Sequence, residues 1–352
     1  MFKPEVYIGS IGVALPSFSA DQTETKEFLI RHYAHRLQPR SLGVLKKIFS
    51  HPSILRRHFA FESPDCLLKE TPDSRIARFT QAAVDLSVRA ALQSLDQLSL
   101  GVSDVSGLVV STCTGYLCPG LSTYLVERLG LSRRIRAYDL VGAGCGGAIP
   151  NLEIAGRMLQ EDESGVILSV SVEICSATFQ MSDDLSLILS NMLFSDGAAA
   201  AVVWKCAQGL KFVTSAGHYA PEYRDCLRYV YKNGQLHNQI SNRLPFLVQE
   251  SVLQSLAGIL DPLSLRPDDI KHWAVHPGGE KIINAVQAGI GLSDAQLGPA
   301  RDILARHGNM SSPTVLFVLR KILETGIEEN EWCAMLAFGA GLASHALLLK
   351  KR

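Results

Sequence analysis

The residues of this chain best suited to chemistry are Cys145, His276 and Asn309. Each stands beside glycine at the boundary of a regular element: Gly142-Ala143-Gly144-Cys145-Gly146-Gly147-Ala148, His276-Pro277-Gly278-Gly279, and His307-Gly308-Asn309-Met310-Ser311-Ser312. A thiol, an imidazole and a carboxamide together suit attack on a thioester and then stabilisation of a carbanion next to a carbonyl. Taken singly, each also has a structural reading: a small residue in a tight turn, a hydrogen-bonded loop histidine, and a helix cap.

The glycines around Cys145 allow a sharp turn and close approach of a substrate to the backbone. Residues 148–160 then have helical character, with Pro150 tolerated in the first turn. A cysteine at a helix N-terminus meets unpaired N–H groups and the positive end of the dipole, which favours thiolate. His276 ends the apolar run Trp273-Ala274-Val275, and Pro277 stops regular structure there, leaving the imidazole at a strand tip. A neutral histidine so placed can accept a thiol proton and then, as imidazolium, partner the thiolate. His272 lies four residues away, but on a strand that spacing spans roughly 13 Å, so no metal pair is expected. Asn309 precedes an apolar helix from Thr314 and can donate its amide N–H to a developing oxyanion.

Two other readings use the same residues. Gly142-x-Gly144-x-x-Gly147 follows an expected strand at 135–141 and precedes Glu161, Asp162 and Glu163, which is the outline of a dinucleotide-binding turn. It carries a cysteine where a pyrophosphate would approach, and the acids fall at a helix end, so the nicotinamide reading is the weaker one. Cysteine, histidine and asparagine also serve papain-like hydrolases, but the glycine contexts do not match that family.

The elements that must position these groups alternate in type. Residues 6–15, 105–113, 166–174, 198–204, 273–276 and 333–338 read as strands. Residues 122–129 read as a helix with Ser122 as N-cap and Gly130 as its stop, and 313–323 as another helix. This predicts an α/β fold with mixed sheets covered by helices. The halves echo one another. A strand ends near Cys113 and a glycine turn delivers Cys145 about 32 residues later; a strand ends at His276 and a glycine turn delivers Asn309 about 33 residues later. Each half closes on a similar segment, Phe194-Ser195-Asp196-Gly197 and Phe338-Gly339-Ala340-Gly341. The expectation is two similar halves packed face to face, residues 1–205 carrying the cysteine and 206–352 the histidine and asparagine. Residues 206–242 are irregular and read as an insertion lining or capping the site.

Composition narrows the function. The 352 residues are 47% hydrophobic and 19% charged, enough apolar side chain for a large sheet-containing interior. Lys+Arg and Asp+Glu are both 34, so the basic excess typical of nucleic-acid binding is missing. No run approaches 18 apolar residues, so no membrane span is expected. The opening Met1-Phe2-Lys3-Pro4-Glu5 does not read as a secretory signal, and the eight scattered cysteines read as free thiols of a cytoplasmic protein.

With these segments in hand, the chain resembles type III polyketide synthases, the chalcone-synthase-like branch of the thiolase superfamily. The matching residues are Gly144-Cys145, Trp273 to Gly279, Gly308 to Ser312, Phe194 to Ala200, and Phe338 to Leu342. The resemblance implies a thiolase-like fold with an α-β-α-β-α layered core, a homodimer, and decarboxylative condensation of malonyl-CoA onto an acyl-CoA starter. It also implies no permanently bound cofactor or metal, with CoA thioesters as substrates. Cys145 is implied as nucleophile, with His276 and Asn309 stabilising the enolate. Phe194 falls at the gatekeeping phenylalanine, while Cys113, Thr114, Cys175, Thr178, Ser311 and Phe338 fall at pocket positions. Cys118 matches a residue that enters the partner's cavity. Candidates for CoA are Lys46, Lys47, Arg56, Arg57, Lys281 and Gly278. Ala340 replaces a proline of the plant pattern, Ser195 a glycine and Cys175 a threonine, so starter and product stay open; a long-chain starter giving an alkylpyrone or alkylresorcinol is the expectation. The runner-up is a ketoacyl synthase III-like enzyme making one condensation. An inactive acyl-CoA-binding relative is the non-enzymatic alternative.

Overall fold

The computed structural model describes residues 5–49, 53–159, 165–232 and 234–352. Glu161, Asp162 and Glu163 of the dinucleotide reading lie outside them. The first half runs β1 (Tyr7–Ala14), β2 (Phe18–Asp21), α1 (Gln22–Tyr33), α2 (Pro39–Phe49), β3 (Arg56–Phe59), α3 (Pro72–Asp96), β4 (Val105–Thr112), α4 (Leu121–Leu129), β5 (Arg136–Val141), α5 (Ala148–Met158), β6 (Val166–Ile174), α6 (Leu185–Leu193) and β7 (Asp196–Trp204). The second runs β8 (Leu210–Tyr219), β9 (Leu227–Lys232), β10 (Gln235–Ile240), α7 (Leu244–Leu260), β11 (His272–Val275), α8 (Glu280–Ile290), α9 (Asp294–His307), α10 (Thr314–Thr325), β12 (Trp332–Gly339) and β13 (Ala343–Lys351).

Strand order exposes the duplication. One half reads β1-β7-β6-β4, the other β8-β13-β12-β11, and in both the pairings are antiparallel, antiparallel, then parallel. The first half adds β5, parallel to β4, at its outer edge. The halves join where β1 pairs β8 through only two residue pairs, Tyr7↔Lys211 and Ile8↔Leu210, which makes the sheet formally continuous over nine strands.

Period-2 alternation sends successive side chains of each strand into different cores. Val109, Ile167 and Ala201 of one half, and Ala274, Met335 and Leu347 of the other, meet α5 and α10 in a central layer. Their neighbours Leu108, Leu168 and Val202 face α3 and α4. Trp273, Ala334 and Leu348 face α7 and α8. The result is the expected five layers, helices–sheet–helices–sheet–helices. The opening turns of α10 are buried on every side (Thr314 to Leu319), which suits a helix between two sheets.

Two local expectations are corrected. Ser122 is not the cap of α4; Gly120 holds that position, and the Ser122 hydroxyl is instead bonded to Asp139 of β5. Residues 206–242 are not one insertion. Their first part is β8, paired along its length with β13; Thr214, Ser215 and His218 mask the strand in the sequence, and backbone pairing decides it. The β9–β10 hairpin is the part that reaches the site. Among the described residues, no helix is long and apolar enough to cross a membrane, and all eight cysteines are free.

Candidate active site

Cys145 sits in a one-turn 3₁₀ segment, Gly144–Gly146, directly before α5. Gly142 and Gly144 have φ of 91° and 58°, the left-handed region that admits glycine cheaply. The turn lies flat on the end of β12: a Cβ on Gly339 would come within 2.3 Å of the Ala143 carbonyl oxygen and 3.1 Å of the Cys145 nitrogen. The glycines of both halves are therefore packing requirements of one contact.

His276 follows β11 and continues its ladder, donating its N–H to the Leu336 carbonyl at 2.8 Å. Its ring meets Phe338 edge-on at 5.2 Å, and Gly278 leaves room for that phenyl ring. Phe338 thus touches the imidazole with its ring while the next residue, Gly339, carries the Cys145 turn. His276 is 0% exposed, and among the described residues neither ring nitrogen has a hydrogen-bond partner. Burial alone takes its pKa down to about 3.

Asn309 is 2% exposed and is held by backbone bonds on both sides. Its N–H donates to Leu193 at 3.0 Å, and its carbonyl accepts from Ser195 at 2.9 Å. Its Oδ1 accepts the Ser311 N–H at 2.7 Å, so the amide nitrogen is the end left for other partners. Ser311 itself sits at φ 60°, a left-handed conformation rare for serine and held by this local network. The Asn309 carboxamide and the Ser311 hydroxyl hydrogen-bond the Cys145 side chain.

Charge at the thiol differs from the expectation. Burial pushes the Cys145 thiol up to about 12 and outweighs the three hydrogen bonds, to the Ser311 hydroxyl, its own backbone and the Asn309 carboxamide, that pull it down. The residue lies in the turn before α5. Burial thus favours the uncharged forms of both the thiol and the imidazole, against the thiolate that the helix N-terminus alone would favour.

A cavity of about 390 Å³ opens in front of Cys145. Cys113, Phe194, Ser311 and Ala340 line it with Tyr229 and Leu236 of the hairpin. His276, Asn309 and Phe338 are buried and do not line it. Phe194 also borders a second, mostly apolar chamber of about 220 Å³, and Cys175 and Thr178 line that chamber rather than the Cys145 cavity. Thr114 is corrected as a wall of the Cys145 cavity: it is buried, and its hydroxyl donates to Glu173 at 2.8 Å. Ser195 likewise faces away from the cavity; its hydroxyl donates to the His58 carbonyl and accepts the His58 N–H. Cys118 is exposed.

Among the CoA candidates, Lys46, Lys47, Arg56 and Lys281 are exposed, while Gly278 is buried under Phe338. Arg57 is corrected. It is 1% exposed, and its guanidinium donates to the carbonyls of Asn191 and Phe194, so no phosphate reaches it from solvent. Sequence reasoning passed over Glu173, a fully buried carboxyl at the end of β6. It accepts from the backbone of Cys113 (2.9 Å) and Thr114 (3.1 Å) and from the Ser312 hydroxyl (2.8 Å), joining the β4 loop to the loop after Asn309. An acid inside the run of apolar and small residues in β6 was the available signal.

With this geometry described, known proteins give it a context. The profile of FAE1/type III polyketide synthase-like proteins matches residues 6–211, and that of the chalcone and stilbene synthase C-terminal domain matches 211–351. A 3,5-dihydroxyphenylacetyl-CoA synthase of Streptomyces toyocaensis is 28% identical, covering 87% of this chain and 82% of its own. A putative chalcone synthase of Bacillus subtilis (strain 168) is also 28% identical, over 97% of this chain and 98% of its own. The crystal structure of PKS-I from the brown alga Ectocarpus siliculosus superposes with a TM-score of 0.91 at 25% identity, covering 99% of this chain and 98% of that one. Both profiles are met end to end by a fold of the same architecture, and the chain therefore belongs to the type III polyketide synthase family of acyltransferases.

Proposed function

We propose that the protein loads an acyl-CoA starter onto Cys145 and extends it by decarboxylative condensation with malonyl-CoA. The observation that carries this reading is a fully buried imidazole with two unpartnered nitrogens, packed on the strand end that also holds a thiol bonded by a carboxamide. In loading, the thiol proton passes to His276, sulfur attacks the thioester carbonyl, and the departing CoA thiolate takes the proton. In extension, His276 and Asn309 donate hydrogen bonds to the malonyl thioester oxygen. The bond to the carboxylate breaks, carbon dioxide leaves, and its electron pair forms the enolate. The enolate carbon attacks the acyl-cysteine carbonyl, and the carbon–sulfur bond breaks to free Cys145. Lys46, Lys47, Arg56 and Lys281 are the exposed cations offered to the CoA phosphates.

The starter in this reading is a long-chain acyl group, leading to an alkylpyrone or alkylresorcinol. The chamber behind Phe194 supports it, with Phe18, Phe28, Phe59, Phe61 and Phe179 among its walls. Each buried methylene contributes about 0.8 kcal/mol, roughly fourfold in kcat/KM. The working unit is a homodimer of chains whose halves divide at 205/206. The outer side of β5, the strand at one edge of the sheet, has no strand partner among the described residues, and β5 exposes Tyr138 (51%) and Val141 (50%) near the exposed Cys118 loop.

Incubation with labelled malonyl-CoA and acyl-CoAs of two to sixteen carbons tests the reading. Activity rising with chain length and falling about tenfold for long starters alone in Cys175→Phe is expected. A single extension yielding only a linear product would favour the one-condensation enzyme instead, and an unchanged chain-length profile in Cys175→Phe would remove the chamber from the account.

A further inference from the structure

Arg57 is a buried cation that the proposed mechanism does not use. From β3 its side chain runs inward between two segments of the site. On one side, Nη1 donates to the carbonyls of Asn191 (2.6 Å) and Phe194 (3.0 Å), at the C-terminal end of α6. Those carbonyls lack helical partners and carry the negative end of the dipole. On the other side, its stem fills the space left by Gly308: a Cβ there would stand 2.8 Å from Arg57 Cγ and 3.1 Å from Cδ. Gly308 has φ 70°, and the residue after it is Asn309. The two segments are themselves bridged, Phe194 beside Asn309, by the Leu193 and Ser195 backbone bonds to Asn309.

Packing alone does not account for this residue. Among the described residues its buried Nε and Nη2 have no hydrogen-bond partner, its ring contact is Phe59 at 5.1 Å, and Asp196 is the acid that acts on it. An incompletely satisfied buried charge is costly, and an apolar side chain would fill the same volume at lower free energy. The single hydrogen-bonding arm and the stem instead fix two loops relative to each other.

We propose that Arg57 is a positioning residue that sets the Asn309 amide and the Phe194 backbone in one geometry for the decarboxylation step. This rests on the reading of Asn309 as an enolate donor. A shift of about 1 Å at such a donor costs on the order of 10²-fold, whereas in loading the carboxamide acts only on the thiol, alongside the Ser311 hydroxyl, so a smaller loss is expected there.

The test separates the two half-reactions in Arg57→Lys and Arg57→Ala: malonyl-CoA decarboxylation to acetyl-CoA, and acylation of Cys145 by hexanoyl-CoA followed by intact mass. Decarboxylation should fall about tenfold or more while acylation stays within threefold, and methylguanidine should restore part of the loss in Arg57→Ala. Unchanged decarboxylation, or the two half-reactions falling in proportion, overturns the proposal. Should the Arg57 variants not fold, Gly308→Ala presses on the same stem from the other side, and the same two readouts decide. Asn309→Ala is run alongside: full decarboxylation there removes the underlying reading, whereas its loss with normal Arg57 variants removes only the positioning role.

Discussion

The two halves of this molecule share one strand plan and treat their strand tips in opposite ways. At the end of β6 the first half places Glu173, whose carboxyl collects N–H and O–H donors from the loops around Cys113 and Ser312. At the corresponding end of β12 the second half places Phe338, whose ring packs on His276 and offers it no hydrogen bond. One tip is polar and saturated; the other is apolar and leaves an imidazole unpartnered. A saturated network costs free energy to disturb and so fixes geometry, whereas a buried unpartnered donor or acceptor is poised for a ligand. The same scaffold therefore supplies rigidity from one side and reactivity from the other.

That contrast is breakable by mutation. The largest effect belongs to the proposed nucleophile: Cys145→Ala should abolish product with an unchanged melting temperature, and retained turnover would remove Cys145 from the mechanism. Next, His276→Ala and Asn309→Ala should each slow malonyl-CoA decarboxylation by about 10²-fold or more, measured as acetyl-CoA formed, without loss of folded protein. Near-native decarboxylation in both would leave the unpartnered tip without a job.

Two smaller effects sharpen the contrast. Burial sets the Cys145 thiol at about 12, so its thiolate fraction grows as pH rises toward that value. Iodoacetamide alkylation of Cys145 should accordingly climb by about tenfold per pH unit between 6 and 9. A rate already level at pH 7 would reveal a preformed ion pair with His276. On the saturated side, Glu173→Gln turns an amide N–H₂ toward groups that are themselves donors. A loss of about 1–3 kcal/mol is expected, read as a lower urea midpoint, and an equal midpoint would show that the network is not what ties the two loops.

Much of this organisation was legible along the chain. The glycine turn before residue 148, the strand ending at His276 and the turn into Asn309 all lie where their local patterns put them, because glycine, proline and β-branched runs act within a few residues. Ser122 misled because a serine before an apolar helix is a sound cap signal, yet Asp139 of a neighbouring strand claims its hydroxyl. Strand β8 hid behind Thr214, Ser215 and His218, whose polar side chains obscure a strand that pairs fully with β13. Arg57 looked like a surface cation because charge is normally solvated; only the packing of β3 against α6 and Gly308 takes it inside.

What the residues settle unaided is which groups exist and which local turn each occupies, since backbone preferences act over one or two turns of chain. The folded arrangement alone decides that Cys175 and Thr178 serve a chamber apart from Cys145. It alone decides that His276 is left without a partner while Glu173 is saturated. Burial and hydrogen-bond satisfaction arise between segments that lie from about 60 to well over a hundred residues apart, where no local pattern reaches.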